Sequence, residues 1–165
     1  MNILSFTPPS LFMFSCESDD DNAPDLTNAN LAGTYDITAF NGMASETDST
    51  GGVTNISTTT FSSSNFNNAT ITFTEDGTIS STGSFTFTAV ITENGMTETE
   101  VEITDVDING TYTINANSLI VSDLDDVSVT VRNFSNNGLQ LFLQKTETDT
   151  DYTFGAEVTY TLVRQ

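Results

Sequence analysis

Ala69-Thr70-Ile71-Thr72-Phe73-Thr74-Glu75-Asp76-Gly77-Thr78 is the stretch that decides the fold. Apolar Ala69, Ile71 and Phe73 alternate with Thr70, Thr72 and Thr74, so the three apolar side chains share one face of an extended strand. Glu75-Asp76-Gly77 supplies turn formers, including a glycine able to take positive φ, and a hairpin partner starts at Thr78.

The same alternation extends in both directions. Upstream, Tyr35, Ile37 and Ala39 alternate with Thr34, Asp36 and Thr38, predicting a first strand over Gly33 to Phe40. Downstream, Phe85, Phe87, Ala89 and Ile91 share a face, Asn94-Gly95 turns the chain, and Met96 to Thr104 returns. Tyr112/Ile114, Leu119/Val121, Val127/Val129/Val131, Leu139/Leu141/Leu143 and Val158/Tyr160/Leu162 continue the pattern. Short strands joined by tight turns predict an all-β fold, an antiparallel sandwich or up-and-down barrel of about eight to ten strands. Closure into a barrel removes the open edges that a Thr-rich sheet would otherwise expose. Residues 41–68 are rich in Ser, Thr, Asn and Gly, with only Val53, Ile56, Phe61 and Phe66 as anchors, and predict a long loop holding at most one short strand. Gly33-Thr34-Tyr35 recurs as Gly110-Thr111-Tyr112, as expected of two strands that leave similar turns.

Formal net charge is −20, and the three bases are Arg132, Lys145 and Arg164. Such a surface repels polyphosphate and anionic headgroups, so nucleic acid is excluded as a partner, and self-repulsion favours a monomer. Histidine is absent and cysteine occurs once, at Cys16, which removes the usual general base, imidazole ligand and disulfide. No nucleophile elbow or phosphate-cradling glycine loop occurs, so the chain is not expected to be an enzyme.

Cys16 closes an apolar stretch, Leu11-Phe12-Met13-Phe14-Ser15, and opens an acidic one. This resembles a bacterial lipoprotein signal peptide, which implies cleavage after residue 15, lipidation of Cys16 and attachment to a membrane by that lipid. Ser18-Asp19-Asp20-Asp21 is similar to the acidic export signal of Bacteroidota surface lipoproteins, which implies the outer membrane or cell surface. Residues 16–30, with Pro24 and no apolar period, read as a flexible acidic tether, leaving 31–165 as one domain.

The order of pieces in that domain resembles the lipocalin-like domains of Bacteroidota lipoproteins. The resemblance rests on Leu31-Ala32-Gly33-Thr34-Tyr35-Asp36-Ile37, Ile71 to Thr78, Gly110 to Ile114, Ser118 to Val121, Leu139 to Leu143, and Tyr160-Thr161-Leu162-Val163-Arg164. Lipocalins carry Trp in the first strand, packed against Arg near the last. The resemblance puts Tyr35 in the Trp position and implies a Tyr35–Arg164 contact closing the barrel base, worth roughly 0.5–2 kcal/mol as a cation–π pair. It also implies a small apolar ligand in the barrel mouth. The aromatic residues, Phe61, Phe66, Phe73, Phe85, Phe87 and Tyr160 among them, either line such a calyx or fill the core. A filled core would leave an envelope interaction module that contacts glycan or protein through loops such as 41–68.

Asp105-Val106-Asp107-Ile108-Asn109-Gly110 matches the first half of a calcium loop, with Asp105, Asp107 and Asn109 as alternating oxygen ligands. The position that needs a bidentate Glu is Ala116, and Val106 and Ile108 alternate as strand residues do, which favours a plain turn over Ca²⁺. Asp48-Ser49-Thr50 is similar to the O-glycosylation motif of Bacteroidota envelope proteins.

Overall fold

The computed structural model describes residues 23–165 apart from 123 and 125. A short helix α1 (Asn28–Leu31) leads into nine antiparallel strands: β1 (Gly33–Asp48), β2 (Asn55–Phe73), β3 (Thr78–Glu93), β4 (Met96–Asp105), β5 (Gly110–Asn115), β6 (Ser118–Val121), β7 (Ser128–Ser135), β8 (Gly138–Asp149) and β9 (Tyr152–Arg164). Sequential hairpins run round a ring that closes where β1 pairs with β9 and where β2 pairs with β3. The fold is the expected all-β, up-and-down barrel.

One strand departs from a plain meander. Along a single edge of β3, β5 pairs at Thr78 and Ile79 while β4 pairs from Ser84 to Glu93. β4 and β5 therefore lie end to end. The break between them falls at Gly83, whose φ of +83° bends β3 and whose Cα sits so close to β2 that a Cβ would come within 2.1 Å of the Asn68 carbonyl oxygen. The Ser81 hydroxyl spans the gap, donating to the Val106 carbonyl at 2.9 Å and accepting from the Ile108 amide at 2.8 Å. Asn94 and Gly95 both have positive φ, the geometry of a two-residue hairpin turn.

The core lies at one end, the base. Tyr35, Ile37, Ile71, Phe73, Ile79, Tyr112, Leu141 and Leu162 are buried there, with α1 across the opening and its Leu31 fully buried. α1 is capped by the Thr27 hydroxyl, and Leu26 packs on the core. The folded body therefore begins before Leu31, and the C-terminal end of the expected 16–30 tether is part of it.

The predicted loop over 41–68 is instead a hairpin of long strands. β1 runs on to Asp48, β2 starts at Asn55, and the two pair from Asn41↔Ser62 to Asp48↔Asn55. The apolar alternation fades there because both faces approach solvent, while Thr retains its preference for extended backbone. Two of the asparagines that suggested a loop are bulge residues: Asn65 and Asn68 take φ of 51° and 46° where the β2–β3 register shifts.

Candidate interaction surface

At the base, Arg164 on β9 lies directly opposite Tyr35 on β1. The guanidinium carbon sits 4.8 Å from the Tyr35 ring centroid, and Nη2 donates to the Tyr35 hydroxyl. Arg164 also donates to the carbonyls of Ala32, at 2.8 Å, and Asn30, tying the start of the domain to its last strand. The Tyr35 hydroxyl donates onward to the Leu31 carbonyl at 2.8 Å. Burial pushes the Tyr35 pKa up, with the nearby Arg164 charge pulling it back. The two terminal nitrogens of Arg164 and the Tyr35 hydroxyl are thus engaged in closing the barrel, while the buried Arg164 Nε has no hydrogen-bond partner among the described residues.

Above the core, a run of rings crosses the inner face. Phe40 packs against Tyr160 at 4.8 Å, Phe85 at 5.5 Å and Phe87 at 5.9 Å, and Phe87 stacks on Phe61 at 5.5 Å. Phe40 and Phe85 are buried, whereas Phe61, Phe87 and Tyr160 are partly exposed. Burial pushes the Tyr160 hydroxyl up to about 12. These rings pack across the inner face above the largely aliphatic core and form a floor where the barrel opens.

Beyond that floor the ring is incomplete. β1, β2 and β3 are 16, 19 and 16 residues long, whereas β5, β6 and β7 have 6, 4 and 8. The long strands continue past the core as an open wall, β8-β9-β1-β2-β3-β4, exposed on both faces over most of its length, with Ala44 and Ala89 buried within it. Directly opposed residues of an antiparallel pair share a face. The pairs Phe87↔Glu102, Ala89↔Glu100 and Ile91↔Glu98 thus put three β4 glutamates on the inner face, level with the apolar row of β3. The outer face of β4 carries Thr97, Thr99, Val101 and Ile103, the last two 63% and 78% exposed. Met96, 74% exposed, stands at the hairpin, where Ile91, Glu93, Met96, Thr97 and Glu98 line an open cleft of about 380 Å³. β4 has no strand on its other side among the described residues.

Comparison with protein-family profiles and with curated proteins finds no match.

Asp105, Asp107 and Asn109 do not assemble as a calcium cage. The Asn109 amide donates to Asp107 at 2.7 Å, its oxygen accepts from the Ser81 amide, and Val106 and Ile108 are buried as anchors of the crossing from β4 to β5. Among the described residues no group of three or more acids is disposed to hold a metal ion. Ser49 lies at the β1–β2 tip, where its hydroxyl pairs with that of Thr54 at 3.2 Å. Cys16, Ser18, Asp19, Asp20 and Asp21 lie outside the described residues. Sequence reasoning missed the β1–β2 part of the wall, because its polar strands carry no apolar period. The available signal was Thr58-Thr59-Thr60, three β-favouring residues in succession.

Proposed function

We propose that the chain is a lipid-anchored lipoprotein of the outer membrane or cell surface whose lipocalin-like barrel serves as a non-enzymatic interaction module. The observation that carries this reading is the ring-packed floor above the core. Side chains from the strands of the ring join one core cluster, and the aromatic floor closes it toward the mouth, where a carrier would need a cavity of several hundred Å³. The contact surface is the open wall of β1 to β4, in place of a loop over 41–68. The anchor at Cys16 supplies attachment, and the chain enters the fold at the base through α1, so the wall stands at the end remote from the lipid.

Native mass spectrometry of the mature protein after exposure to a lipid extract of the host membrane tests the module. A bare protein mass is expected, and a discrete retained lipid would replace the module with a carrier of apolar ligands. Palmitate labelling tests the anchor: the wild-type chain takes up label and Cys16→Ala does not. Equal labelling of both would remove the lipid from the account.

A further inference from the structure

We propose that the open edge of β4 accepts an extended, lysine- or arginine-bearing segment of a partner protein as a tenth strand. The inference rests on the interaction-module reading and names the partner's chemistry. β4 pairs with β3 over ten consecutive residue pairs, Ser84↔Asp105 to Glu93↔Met96, without a register shift. Its other edge pairs with no strand among the described residues and so offers an unbroken row of backbone donors and acceptors, the template that strand addition uses.

Soluble proteins blunt such edges with proline, lysine, bulges or brevity. β4 contains no proline, lysine or bulge, and it leaves Val101 and Ile103 bare on its outer face. Its one edge defence is negative charge, and that defence is selective. A second copy of β4 paired antiparallel would set glutamate against glutamate, which is destabilising, and each chain brings the same net charge of −20. A strand with basic residues at alternate positions meets the opposite situation. Its cations face Glu98, Glu100 and Glu102, none of which forms a salt bridge among the described residues, while the intervening side chains cover Val101 and Ile103. The cleft beside Met96 has an apolar floor from Ile91 and Met96 and carboxylates from Glu93 and Glu98, a setting for the aliphatic stem and charged head of lysine.

The test uses the full-length protein in detergent and three short synthetic peptides. One alternates lysine with valine, one has glutamate in place of lysine, and one keeps the lysines but carries N-methyl groups on alternate backbone amides. Affinity is read by fluorescence anisotropy and the site by amide hydrogen exchange. The lysine peptide is expected to bind and to slow exchange across Met96–Asp105, the glutamate peptide not to bind, and N-methylation to weaken binding by at least about tenfold. The combined change Glu98→Lys, Glu100→Lys and Glu102→Lys should invert the preference between the charged peptides. Equal affinity of the N-methylated peptide, meaning charge adsorption alone, overturns the proposal, as does binding without protection of β4. The two readings fail separately. A retained lipid with β4 protected removes only the module, and a bare mass with β4 unprotected removes only the tenth strand.

Discussion

Phe73 stands between two tyrosines that mirror each other. Tyr35 and Tyr112 both meet its ring edge-on, with centroids 5.8 Å and 5.5 Å away, and both donate their hydroxyls to backbone carbonyls, of Leu31 and Thr74. The recurring Gly-Thr-Tyr triplets thus deliver equivalent buried tyrosines to one phenylalanine. The Tyr35–Arg164 pairing was legible because the family resemblance implied it and an up-and-down barrel brings its first and last strands together; the shared phenylalanine was not, since nothing in chain spacing sets β5 near β2. Tyr35→Phe leaves the Leu31 carbonyl and an Arg164 proton without their partner, and should cost about 1–3 kcal/mol in urea unfolding. Arg164→Lys should lose about 1.5–3 kcal/mol, because one ammonium cannot replace a planar fork that serves Ala32, Asn30 and Tyr35 together. Tyr160 adds a pH dependence. Its folded pKa of about 12 lies above the ordinary 10.0, so the folded state holds its proton where the unfolded state has lost it. Stability from this group is complete below about pH 10 and falls by on the order of 2 kcal/mol as pH rises toward 12. Absorbance titration of tyrosinate, run beside unfolding curves, checks both the late ionisation and the loss; a stability flat across that window would contradict it.

Strand ends and bulges decide where β3 changes partners. The Gly83 bend is tight against β2, so Gly83→Ala must displace backbone and adopt an unfavourable φ; a loss of at least about 2 kcal/mol is expected. Gly95 has a similar φ of +80° but nothing within 4 Å, so Gly95→Ala should cost only about 1 kcal/mol. Equal effects in thermal melts would mean that the close approach to Asn68 carries no weight. The same elements show why part of the sheet escaped sequence reading. Where one face is buried, as at Ala69-Ile71-Phe73, alternation identifies the strand. Where both faces are wet, as at Ser57-Thr58-Thr59-Thr60, the ladder alone holds the strand, and composition looks like that of a loop. β4 was visible through Asn94-Gly95, yet its lack of an outer neighbour followed only from the shortness of β5, β6 and β7.

At the scale of the molecule, charge and closure govern behaviour. With net charge −20 and one salt bridge among the described residues, Lys145–Glu147, compaction works against self-repulsion. Raising sodium chloride from about 0.01 M to about 0.15 M shortens the Debye length from about 30 Å to about 8 Å and should raise Tm by a few degrees. Calcium and magnesium at equal ionic strength should raise it equally, because Asp105, Asp107 and Asn109 face protein partners or solvent instead of one another's ion. A calcium-specific increment removed by Asp107→Ala would reinstate a bound cation. Ring closure has a further consequence in time. β1 and β9 are zipped together from Tyr35↔Arg164 to Asp48↔Tyr152, so the opening strand waits for nearly the whole chain before its second edge is satisfied. A nascent polypeptide emerging from a ribosome cannot close this barrel piecemeal. The early hairpins can pair first, but the ring closes only when β9 is free, and any stall in synthesis before Arg164 leaves one edge of β1 open to the wrong neighbour.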